Sequence, residues 1–116
     1  MNKEDFKIAE NTRKLIMNIF KNYENCPKRF LEIKKKLEST SIELLECVYN
    51  ANYTKNKEDK EKYYKLCTSK LKVLDFLINY SSELNMINTK TLSKFSKNLE
   101  EITKMLIGWK NYFKLN

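Results

Sequence analysis

The stretch Leu92-Ser93-Lys94-Phe95-Ser96-Lys97-Asn98-Leu99-Glu100-Glu101-Ile102-Thr103-Lys104-Met105-Leu106-Ile107-Gly108-Trp109-Lys110-Asn111-Tyr112-Phe113 decides the fold. Its apolar members Leu92, Phe95, Leu99, Ile102, Leu106, Trp109 and Phe113 follow alternating steps of three and four, the spacing that aligns side chains in one seam of an α-helix. Left in water, each would forgo roughly 1.5–3 kcal/mol. The seam therefore demands neighbours, either antiparallel helices of a bundle or another subunit.

Working outward, residues 58–85 predict a preceding helix. Glu58, Asp59 and Glu61 complement its N-terminal dipole, and Tyr63/Tyr64, Cys67, Leu71, Leu74, Leu77/Ile78, Ser81 and Leu84 form its inner face. Asn88 or Thr89 can cap the closing helix. Residues 27–53 predict another helix, started by Pro27 and buried through Phe30, Ile33, Leu37, Thr40, Leu44, Cys47/Val48 and Ala51. Ser39-Thr40-Ser41 lowers helix propensity there, but small hydroxylated side chains admit a close neighbour and can bond carbonyls one turn back. Residues 5–23 predict the first helix, with Phe6, Ala9, Arg13, Ile16, Phe20 and Tyr23 as its stripe, widened by Leu15 and Ile19. Short polar connectors then predict one all-α domain over 1–116, an up-down-up-down four-helix bundle with helices about 5–23, 27–53, 58–85 and 89–113.

Composition agrees. The 116 residues include one Gly, one Pro and no His, which removes glycine-rich phosphate loops, His-based triads and His-ligated zinc, and leaves too few turn residues for a sandwich or barrel. Cys47 and Cys67 have no His to activate them, and no carboxylate pair lies within an apolar stripe, so no enzyme and no cofactor are expected. Three cysteines without a CxxC pair read as reduced packing residues. Apolar runs such as Met105–Ile107 are far short of a membrane span, and the acidic Met1-Asn2-Lys3-Glu4-Asp5 start is unlike a secretory signal, so the expected location is cytoplasmic, away from the membrane.

Charge is uneven. The chain carries 23 Lys and Arg against 15 Asp and Glu, a net +8. Residues 13–36 hold eight cations against two acids, 37–54 hold three acids alone, and 55–72 hold seven lysines against three acids. Bunched cations attract polyanions and release counterions on contact with phosphates, which makes nucleic acid the leading partner class and an anionic membrane surface the second. Solubility from charge alone is the competing explanation. Apolar residues outside one four-helix core, namely Ile42, Leu45, Tyr49, Val73, Phe76, Tyr80, Met105, Ile107 and Tyr112, imply a second buried surface and self-association.

Several segments resemble a known family. Pro27-Lys28-Arg29-Phe30 with the basic Lys34-Lys35-Lys36, then Ile42-Glu43-Leu44-Leu45-Glu46 with Ala51 and Tyr53, the turn Leu84-Asn85-Met86-Ile87-Asn88, and Leu99 through Gly108-Trp109 together resemble bacterial four-helix-bundle proteins. That family includes the accessory variability determinant of diversity-generating retroelements and the proteins of ribosomal-RNA intervening sequences. The likeness spans about residues 12–113. It implies a ring-like homo-oligomer, a pentamer in the retroelement proteins, whose basic surface engages a reverse transcriptase and its template RNA or cDNA without being catalytic itself.

On that footing the expected nucleic-acid-binding residues are Lys28, Arg29, Lys34, Lys35, Lys36, Lys65, Lys70 and Lys72. Lysine brings charge without the bidentate phosphate geometry of arginine, so expected binding is salt-sensitive and weakly sequence-specific. Tyr49, Tyr53, Tyr63 and Tyr64 have the chemistry to stack on unpaired bases, although tyrosines at helical spacing more often complete a core. Gly108 costs helix stability, which suggests close approach by a neighbouring backbone. The alternative reading is a structural or interaction bundle of the intervening-sequence type with no direct nucleic-acid role.

Overall fold

The computed structural model describes residues 3–116, with side chains from Lys7 onward. Among these residues it is all-helical: α1 (Lys3–Asn22), a short 3-10 turn (Lys28–Phe30), α2 (Leu31–Tyr53), α3 (Lys57–Glu83) and α4 (Thr89–Tyr112). Each helix packs on its two neighbours in the cyclic order α1, α2, α3, α4. Two long-range bonds fix the direction of α2 against α3. Glu43 pairs with Lys70 and Ala51 with Lys60, so α2 and α3 run antiparallel; Arg13 reaches Tyr49, and Asn11 reaches Met105, across the α1–α2 and α1–α4 contacts.

The closing seam packs as its spacing predicts. Phe95, Leu99, Ile102, Leu106 and Trp109 are buried, with Leu92 and Phe113 half-buried at its ends. On α3 the buried face is Lys60, Cys67, Leu71, Leu74, Ile78 and Ser81; on α2 it is Leu37, Thr40, Ser41, Leu44, Val48 and Ala51. Ser41 Oγ donates back to the Glu38 carbonyl at 2.9 Å, which satisfies a hydroxyl in the core.

Two expectations need correcting. The first concerns the stripe on α1. Its core residues are Ile8, Ala9, Thr12, Leu15 and Ile19, with Tyr23 just past the helix, whereas Phe20 is exposed and Ile16 half-buried. Phe6, the first member of the expected stripe, lies outside the residues whose side chains are described. The expected stripe would have carried the Arg13 guanidinium inward. Rotating the helix seats Thr12 there instead, its hydroxyl donating to the Ile8 carbonyl at 2.7 Å, and lets Arg13 reach the Tyr49 hydroxyl at 2.9 Å. The second concerns α2, which begins at Leu31 and not near Pro27. Pro27 has ψ 150° and precedes the 3-10 turn, so the α-helix proper starts one turn later.

The connectors are chemically specified. Asn56 and Asn88 cap α3 and α4, their Oδ1 atoms accepting from Asp59 N at 3.1 Å and Thr91 N at 2.8 Å. At the end of α3, Asn85 takes φ 61°, Asn85 N donates to Ser82 O and Met86 N to Ser81 O. That is a Schellman close, and Asn tolerates its left-handed position better than most side chains. Lys114 at φ 55° closes α4 in the same way and folds Leu115 into the core. Gly108, expected to admit a neighbouring backbone, is exposed beside Lys7, Lys104 and Met105.

Candidate nucleic-acid interface

The head of α2 carries the densest charge. Lys28 and Arg29 lie exposed on the 3-10 turn, with the Arg29 guanidinium 4.5 Å from the Phe30 ring centre. Lys34, Lys35 and Lys36 follow within the first two turns of α2. Successive helical residues turn by about 100°, so three in a row fan out over more than half the helix circumference. Lys34 is half-buried and its Nζ lies 3.4 Å from the Glu24 carbonyl on the α1 side. Lys36 contributes to the field at Glu43 on the α3 side, and Lys35, between them, is exposed.

Glu43 links this group to α3. Lys70 Nζ meets Glu43 Oε2 at 2.7 Å, and the hydrogen bond from Lys70, helped by the charges of Lys70 and Lys36, holds the carboxyl below its ordinary range. Lys70 is held above its own ordinary range by the same bond. Glu43 thus feels the charge of Lys36 as well as that of Lys70.

Lys65 and Lys72 are placed elsewhere. Lys72 is two residues beyond Lys70, about 200° further round α3, and lines a groove against α4 with Asp75, Glu100 and Lys104. Lys65 lies five residues back toward the other end, beside Glu58, Glu61 and Lys62. The structure therefore gathers Lys28, Arg29, Lys34, Lys35 and Lys36 at the α2 head, joins Lys70 to them through Glu43, and sets Lys65 and Lys72 apart. Among the eight, Lys70 alone forms an ion pair with a described residue.

Two cations that the charge count by segment does not connect, one inside residues 13–36 and one outside the counted segments, lie at the same end of the bundle. Lys21 from the last turn of α1 and Lys94 from α4 line a cleft of about 170 Å³ with Asn18, Asn22, Thr91 and Phe95. They are distant in sequence, and the packing of α4 against α1 brings them together. The tyrosines divide: Tyr53 is exposed, Tyr49 accepts from Arg13, and Tyr63 and Tyr64 are half-buried beneath Lys62 and Lys110.

The apolar surplus is partly covered within the chain. Leu45, Tyr49 and Met105 pack against the core, whereas Ile42, Val73, Phe76, Tyr80, Ile107 and Tyr112 are exposed. Val73, Phe76 and Tyr80 form a stripe on α3 that Leu66 extends, with Phe76 at 65% exposure and stacked on Tyr80 at 6.0 Å. Between α3 and α4, Leu71, Leu99, Leu106 and Ile107 line a groove of about 610 Å³.

Among the described residues, no helix is long and apolar enough to cross a membrane, and no group of three or more Cys, Asp or Glu side chains is placed to hold a metal ion. Comparison with protein-family models, curated proteins and solved structures yields no match to this chain.

Proposed function

We propose that this chain is a non-catalytic nucleic-acid-binding accessory, working as a homo-oligomer beside a reverse transcriptase and its template RNA or cDNA, in the manner of the retroelement proteins its sequence resembles. The observation that carries the binding half of this reading is the α2 head, where Lys28, Arg29, Lys35 and Lys36 are exposed and have no ion-pair partner among the described residues. Such a cluster meets phosphates at low desolvation cost and gains counterion release on contact. The resemblance supports the reverse transcriptase and the pentameric ring. The exposed Val73, Phe76 and Tyr80 stripe supports burial against further copies.

Replacing Lys34, Lys35 and Lys36 with glutamate tests the binding. Measured by fluorescence anisotropy on single-stranded RNA and DNA at low salt, the variant should bind roughly 100-fold more weakly than the parent, with the same helical circular dichroism. Equal affinities would reject this reading. A second reading is favoured by the apolar stripe alone: an interaction bundle whose charge serves solubility. It predicts a stable oligomer by solution mass measurement with no polyanion binding at moderate salt.

A further inference from the structure

The α2–α3 contact carries a pair of thiols that the polyanion reading does not use. Lys70 meets Glu43 at 2.7 Å and Lys60 Nζ meets the Ala51 carbonyl at 3.1 Å, two rungs of one antiparallel ladder. Cys47 lies on α2 four residues from Glu43 and four from Ala51; Cys67 lies on α3 between Lys60 and Lys70. The ladder therefore brings Cys47 and Cys67 to neighbouring positions across the α2–α3 contact, close enough for each thiol to influence the other. Ser41 and Ala51, buried on the same helix face, are small enough to let α3 approach closely.

The two thiols differ in access and acidity. Cys47 is half-buried, and Cys67 is fully buried. The Cys67 thiol donating to its sulfur, with the Lys70 ammonium nearby, lowers Cys47 to about 7 against the opposing effects of burial, Glu46 and Glu43. Cys67, which donates and is buried, is pushed up. An accessible, acidic thiol next to a shielded one is the arrangement in which oxidation of the first is resolved by the second.

We propose that Cys47 and Cys67 form an oxidisable dithiol, a modification site for hydroperoxides, with Cys47 attacking and Cys67 resolving. The Cys47 thiolate attacks one peroxide oxygen, the O–O bond breaks, the departing hydroxide takes a proton from solvent, and Cys47 is left as a sulfenic acid. The Cys67 sulfur then attacks the Cys47 sulfur, the S–O bond breaks, and the hydroxyl leaves as water with the Cys67 proton. With hydrogen peroxide, two thiols and one peroxide give one disulfide and two waters, two electrons passing from sulfur to oxygen. The new bond ties α2 to α3 across their connector, so the oxidised bundle should melt at a higher temperature than the reduced one.

The test treats the full chain with a small excess of hydrogen peroxide, alkylates the remaining thiols with iodoacetamide and maps peptides by mass spectrometry. The expected result is alkylation at Cys26 alone and a cross-linked Cys47–Cys67 peptide pair. Cys67→Ser, or Cys67→Ala if the serine is poorly tolerated in the core, should stop at a Cys47 sulfenic acid that dimedone traps. Cys47→Ser should leave Cys67 reduced. Alkylation of all three cysteines after peroxide, a disulfide that uses Cys26, or unchanged oxidation of Cys67 in Cys47→Ser would each overturn the proposal.

Discussion

Lysine lives two different lives at the two ends of α2. At its head, Lys35 and Lys36 are exposed and follow directly on Lys34. Past its tail, Lys60 is only 8% exposed, its Nζ 3.1 Å from the Ala51 carbonyl, 4.4 Å from the Phe113 ring centre and 5.3 Å from that of Trp109. A helix C-terminal carbonyl and two ring faces are the electron-rich surroundings that let an ammonium leave water. A charge count treats both ends alike. The surroundings show that Lys60 holds three helices together, whereas the head lysines hold nothing within the chain in comparable fashion and are available to a partner.

That contrast can be broken in four ways. The largest expected effect is the loss of polyanion affinity on reversing Lys34, Lys35 and Lys36, with stability kept; a collapse in melting temperature would make those lysines structural after all. Next, Lys60→Ala should cost about 2 kcal/mol in denaturant unfolding, with nucleic-acid affinity unchanged. A change within a few tenths would show that the aromatic clamp contributes little. Tyr23→Phe comes third. The Tyr23 hydroxyl sits 2.6 Å from Ser81 Oγ in the core, and burial holds its pKa above the ordinary value. Its removal should cost about 1 kcal/mol, limited because Ser81 keeps its bond to the Ile78 carbonyl.

The smallest effect belongs to the Glu43–Lys70 pair, which joins the head to α3. Glu43 has a lowered folded pKa, so its contribution is full above the ordinary carboxylate range and fades as pH falls through the lowered value. The Glu43 side chain is 43% exposed, and solvent screening limits the contribution to a few tenths of a kcal/mol. Glu43→Gln should flatten the acid side of the stability profile by about that amount, and a profile identical to the parent's would assign the pair no role in stability.

The seam from Leu92 to Phe113 was legible because its spacing admits one helical face and no charge interrupts it. α1 was less so: the apolar positions at 6, 9, 16 and 20 compete with a face through Ile8, Thr12, Leu15 and Ile19, and Thr12 becomes a core residue only once its hydroxyl bonds the preceding turn. Periodicity weighs hydrophobicity and cannot see that bond. The basic residues at 28–36 were legible as charge, but their fan around α2 and the divergence of Lys70 from Lys72 follow from helical geometry and from which face α3 turns inward. Lys60, Lys21 with Lys94, and Cys47 with Cys67 were hidden for one reason. Each acquires its surroundings from a different helix.

The single tryptophan gives this layout an experimental use. Trp109 is 2% exposed beneath Lys60, at the opposite end of α2 from Lys28 and Arg29, a separation of about 35 Å along a 23-residue helix. Its fluorescence should report unfolding through a red-shifted emission and remain silent when a ligand docks at the far pole, so one cuvette can distinguish a variant that has lost its grip from one that has lost its shape.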